Sequence, residues 1–161
     1  MHEAVLRDFF LGAADAALLR ADLQGGVVRA GITRRHRIVD MDTELGVDPA
    51  HLVRLCDAVL EGALPPSALQ QLGFCLLASD HFDWDADTPG GAVVAETVAD
   101  WSCPEVNWPL TVATVRQHRA GLVAGRYLFV RSQGPHEALQ PAGVARLVAH
   151  DVKVSPGGPG C

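Results

Sequence analysis

Leu69-Gln-Gln-Leu72-Gly-Phe-Cys-Leu76-Leu77-Ala-Ser79, then Asp80-His81-Phe82-Asp83-Trp84-Asp85-Ala86-Asp87-Thr88-Pro89-Gly90-Gly91, then Ala92-Val-Val-Ala-Glu-Thr-Val-Ala-Asp-Trp101, is the stretch whose reading decides the fold. Leu69, Leu72, Leu76 and Leu77 recur at helical spacing, and Phe74 and Cys75 widen their face. Such a pattern predicts a helix buried on nearly every side. Thr88-Pro89 is a helix start, because Thr caps free amides and Pro is preorganised for the first turn. Val93, Val94, Val98 and Trp101 then share one face. Between the two helices lies an acidic loop carrying two aromatics.

The same signals extend outward. Asp48-Pro49 opens another helix, with Leu52, Leu55, Cys56, Val59 and Leu60 as its apolar stripe. Gly62 closes it, and Pro65-Pro66-Ser67 starts the next one after so few residues that the two must form an antiparallel hairpin. Thr111 caps a last bundle helix carrying Val112, Val115, His118 or Arg119, and Leu122, and its Arg116 and Arg119 can face the acids. Residues 3–23 read as helix that Gly12 can divide, ended by Gln24-Gly25-Gly26. Val27–Val39 holds β-branched pairs around Arg34-Arg35-His36-Arg37 and reads as a short hairpin or an irregular arm. Tyr127–Val130 reads as a strand or packed extended segment, Ala142–His150 as a short helix, and Ser155–Cys161 as a flexible tail. The expected fold is mainly α: a helical bundle over about 48–125, an N-terminal helix packed on it and minor β segments. All of it falls in one globular domain over 1–154.

Composition supports this and narrows the function. The chain has 161 residues, 48% of them hydrophobic and 20% charged, which suits a packed core and argues against disorder. No apolar run approaches the ~20 residues of a spanning helix, and the first residues carry acids where a signal peptide needs bases. A cytoplasmic protein without membrane partners is expected. Cys56, Cys75, Cys103 and Cys161 are widely spaced, which fits neither a disulfide framework nor a zinc site. No cofactor is expected.

The formal net charge of −6 conceals an asymmetry. Asp40 to Thr111 contains 13 acids and one base, Arg54, and no Lys, for a local charge of −12. Such a block repels nucleic acid and attracts cationic partners. It also keeps an apolar bundle soluble, although for that purpose alone acids are usually mixed with lysines.

Asp83, Asp85 and Asp87 alternate like the start of a calcium loop, but the positions that need Gly and a bidentate Glu hold Thr88 and Val94. His81 beside these acids offers general acid–base chemistry. No nucleophile with an orienting partner, phosphate-binding glycine loop or metal trio accompanies it, so an enzyme is not expected. In an extended segment Phe82 and Trp84 share one face and Asp83 and Asp85 the other. The rings either plug the bundle or, ringed by acids, anchor a partner.

Helix, short link, helix, aromatic acidic loop, Pro-Gly turn and a helix ending in Trp resembles the bundle of the colicin and pyocin DNase immunity proteins over about residues 48–102. Pro89, Gly91 and Ala92-Val93 open the matching last helix, and Trp101 lies towards its end. His81-Phe82-Asp83-Trp84-Asp85 stands where that family carries a Tyr-Tyr-Pro contact motif. The resemblance implies an acidic helical protein that covers a basic surface of its target. The expected function is therefore an acidic protein-binding protein, immunity- or inhibitor-like, that neutralises a basic partner. The interface would comprise Asp57, Glu61, Asp80, His81, Asp83, Trp84, Asp85 and Asp87. A structural or regulatory subunit of a homo- or hetero-oligomer is the alternative, and a small hydrolase using His81 and nearby Asp residues a third.

Overall fold

Local capping chemistry builds the helices where the sequence places them. Asp48 accepts from the His51 amide at 3.1 Å while the His51 ring accepts from the Asp48 amide at 3.1 Å, a reciprocal box that starts helix α3 (Pro49–Leu60). Gly12, at φ 80°, adopts the left-handed conformation that ends α1 (Glu3–Leu11) and separates it from α2 (Ala16–Gly25). A computed structural model describes residues 1–25, 27–30 and 33–129, with the backbone alone in 27–30 and 33–36. The expected helix at Ala142–His150, the tail from Ser155 and the side chains of Arg34, Arg35 and His36 lie outside the described residues.

The remaining described helices are α4 (Ala68–Ala78), α5 (Pro89–Ser102) and α6 (Val112–Ala124), and the strands are β1 (Val27–Ala30), β2 (Thr33–His36), β3 (Leu45–Gly46) and β4 (Phe82–Asp83). The fold is mainly α with minor β, as expected, and residues Met1–Phe129 form one compact unit. No helix among the described residues is long and apolar enough to cross a membrane.

Two helix pairings organise the core, α4 against α5 and α3 against α6. The first is close because Gly73 has no side chain: a Cβ there would sit 2.9 Å from the Trp101 Cβ and 2.9 Å from the Ser102 amide nitrogen. Leu69, Leu72, Leu76, Val94, Val98 and Trp101 are fully buried around this contact. Leu6, Phe9 and Phe10 of α1 and Leu19 and Leu23 of α2 belong to the same core cluster.

Helix α4 departs from expectation on one side. Phe74 and Leu77 are 45% and 49% exposed, although Gly73, Cys75 and Leu76 beside them are buried. The helix meets α5 through its Gly73 side, so apolar residues around its whole circumference do not all reach the core.

Within Val27–Val39, β1 and β2 pair antiparallel in the register Val27↔His36 to Ala30↔Thr33. Val39 then forms a parallel bridge with His2. Strands β3 and β4 pair in parallel, Leu45 with Phe82 and Gly46 with Asp83. Tyr127, Leu128 and Phe129 carry no strand pairing, and Phe129 is buried.

Candidate functional site

The acidic loop is held by the main chain. The Ser79 hydroxyl accepts from the His81 amide at 3.0 Å and the Phe82 amide at 3.2 Å, which turns the chain out of α4. Leu45 N–H then donates to the His81 carbonyl at 2.8 Å, and Val47 N–H to the Asp83 carbonyl at 2.7 Å. At the far end Asp85 accepts from the Asp87 amide at 3.1 Å through its carboxylate, and from the Thr88 hydroxyl at 2.7 Å through its carbonyl. Thr88 caps α5 by accepting from Gly91 N–H at 3.1 Å. Gly91 is required there, because a Cβ would fall 1.9 Å from the Asp85 carbonyl oxygen.

Within this frame the side chains alternate. Phe82 is buried and meets Phe10 edge-on at 6.0 Å between ring centroids. Trp84 is half-buried against the core. Asp80, Asp83, Asp85 and Asp87 are exposed. Two of the expected interface residues belong to α3 instead. The Asp57 carboxylate takes the Arg119 guanidinium of α6, so its charge is already paired. That bond and the neighbouring negative charge raise the Arg119 pKa further. Glu61 is exposed at the C-terminal cap of the same helix.

His81 turns towards the N-terminus. Its Nδ1 lies 3.3 Å from Glu3 Oε2, an electrostatic contact whose angle does not make a hydrogen bond. Glu3 is 1% exposed, and the same oxygen accepts from the Met41 amide at 3.0 Å. Sequence reasoning missed Glu3 because nothing local distinguishes it from an ordinary first-turn acid. It also left Asp40, Asp42 and Glu44 out of the site, although all three are exposed and precede the strand that pairs with β4. A two-residue parallel strand leaves no periodic signal.

The chemistry on offer is ionic and aromatic. Burial, and then the Glu3 charge, push the Cys75 thiol up to about 12, and burial with the Asp57 charge does the same at Cys56. Both thiols therefore stay neutral and weakly nucleophilic. Among the described residues no group of three His, Cys, Asp or Glu side chains is arranged to hold a metal ion. A cleft of about 400 Å³ lies between Val5, Leu18 and Val39, and its one carboxylate, Asp22, is already engaged by the His2 amide at 2.7 Å and the His2 ring at 2.5 Å.

Compared with family models, curated proteins and solved structures, the chain matches none.

Proposed function

We propose that this protein is an acidic, cytoplasmic protein-binding protein, immunity- or inhibitor-like in mode, that neutralises a basic protein partner. The observation that carries this reading is the β3–β4 pair, which joins the segment bearing exposed Asp40, Asp42 and Glu44 to the one bearing exposed Asp80, Asp83, Asp85 and Asp87. Carboxylates on adjoining segments add their fields, steer a cationic partner and oppose nucleic acid. Trp84, half-buried among them, offers the aromatic anchor that interface centres favour. Asp57 contributes less than its charge suggests, because Arg119 already holds it.

The test is capture of a basic protein at rising ionic strength by the parent and by an Asp83→Asn, Asp85→Asn variant. Association should slow markedly with salt in the parent and weaken in the variant, with the melting temperature nearly unchanged, since solvated acids contribute little to folding. Trp84→Ala should weaken capture with the fold intact. Equal capture by the double Asn variant would reduce the loop to a solvated surface.

An oligomeric subunit is the second reading, favoured by Leu77 and Val123 at 49% and 65% exposure on α4 and α6. Self-association insensitive to salt would support it instead.

A further inference from the structure

After helix α6 the chain folds back over two buried polar groups, Asp100 and His118. Helix α6 ends at Gly125, whose φ of 62° reverses the chain. The Arg126 amide then donates to the Gly121 carbonyl at 3.0 Å, and the Gln117 side chain donates to the Leu128 carbonyl at 3.4 Å. Gly121 makes so close a return possible: a Cβ there would sit 2.8 Å from the Arg126 carbonyl oxygen and 3.4 Å from the Leu128 side chain. The Tyr127 hydroxyl donates to the Asp100 carboxylate of α5. The Phe129 ring lies on the His118 imidazole at 4.2 Å and near Trp108 at 5.1 Å, while Trp101 meets the same imidazole edge-on at 6.0 Å.

His118 is 3% exposed, and neither ring nitrogen has a hydrogen-bond partner among the described residues. The space it lines with Thr97, Tyr127 and Phe129 leaves no room for a water molecule. A neutral imidazole pays to be sealed in this way, and a charged one pays far more. Seating residues 126–129 therefore works against the hydration of one side chain.

We propose that residues 126–129 form an acid-released latch, which seals a neutral His118 when seated and is unseated when that imidazole takes a proton. Burial alone lowers the pKa of the seated ring from 6.5 to about 4. The ionisable groups on the surrounding elements include Cys56 and Asp57 on α3, Asp100 on α5, Arg119 on α6, and Arg126 and Tyr127 on the latch itself. None of them is a cause of that shift. Asp57 and Arg119 hold each other, and Asp100 holds Tyr127.

The sign follows from linkage. Release exposes the ring and moves its pKa from about 4 back towards 6.5, so latching is favoured at neutral pH and weakens as the pH falls towards 4. The opening constant then rises by at most about tenfold per pH unit, and by at most about 300-fold across the interval.

Amide hydrogen exchange, corrected for the intrinsic rate at each pH, reads this directly. Protection of the Arg126 amide should fall by up to about tenfold per pH unit between 6.5 and 4 in the parent, with Leu76 in α4 better protected throughout. In His118→Phe, which keeps an aromatic ring but cannot titrate, the decline attributable to this site should vanish. Gly121→Ala should unseat the latch sterically at neutral pH, so that Arg126 loses protection and His118 titrates near 6.5 by NMR. A pH-independent Arg126 amide in the parent would overturn the latch, as would the same slope in His118→Phe. Equal protection of Arg126 and Leu76 at every pH would also overturn it, because only global unfolding would then be present. If His118→Phe does not fold, the Gly121→Ala titration decides: an unchanged His118 midpoint refutes the proposal.

Discussion

The backbone N–H of Leu45 donates to the carbonyl oxygen of His81 at 2.8 Å, and this bond ties together segments 36 residues apart in the chain. Its consequences are larger than one hydrogen bond suggests. It sets the parallel register of β3 and β4, and with it the adjacency of the Asp40–Glu44 and Asp80–Asp87 segments. It also fixes the backbone from which the His81 ring reaches Glu3.

Leu45→Pro removes the donor without altering any acid. Losing the His81 carbonyl's partner, together with the Leu45 side chain that packs on the core, should lower the stability by at least about 1 kcal/mol. Urea denaturation measures it, and an unchanged midpoint would mean that the pairing is incidental. Capture of a basic protein should weaken in the same variant although its net charge is unaltered.

Gly73→Ala tests the α4–α5 approach. Helix propensity alone predicts a gain of about 1 kcal/mol. The added methyl would meet the Trp101 Cβ and the Ser102 amide at 2.9 Å each, and separating the helices should cost about 1–3 kcal/mol. The net outcome should be a loss in chemical denaturation; a gain would mean that the two helices separate freely.

Leu72→Ala tests the centre of the core. Leu72 is fully buried on α4, and truncating such a side chain costs about 2–5 kcal/mol through lost contacts and the cavity left behind. A loss under about 1 kcal/mol would contradict its position.

The cysteines give a chemical readout of burial. At pH 8 a thiol raised to about 12 is thiolate in only about one molecule in 10⁴, so Cys56 and Cys75 should resist alkylation in the native protein. Cys103 is exposed and should react. Peptide mapping after a brief iodoacetamide pulse separates the sites, and equal labelling of Cys75 and Cys103 would show that the core opens readily.

What the sequence determined by itself was local. Asp48, Thr88 and Thr111 cap the three helices expected to begin after them, and each cap spans only three residues, well within reach of a side chain. Gly12 divides the N-terminal helix for an equally local reason, since a residue at φ 80° suits Gly best. The apolar stripe of α3 and the alternation of buried Phe82 with exposed Asp83 follow from the periods of helix and extended chain.

Tertiary structure alone decided which residues meet. No spacing rule joins Glu3 to His81, Asp57 to Arg119 or Tyr127 to Asp100, because each pair is held by the packing of whole elements rather than by neighbouring backbone. Packing likewise left Phe74 and Leu77 half exposed on a helix whose composition predicted burial all round. A helical period states which residues share a face. Which face is covered depends on where the next element lies, and here that was decided by a glycine, Gly73, against the side of Trp101.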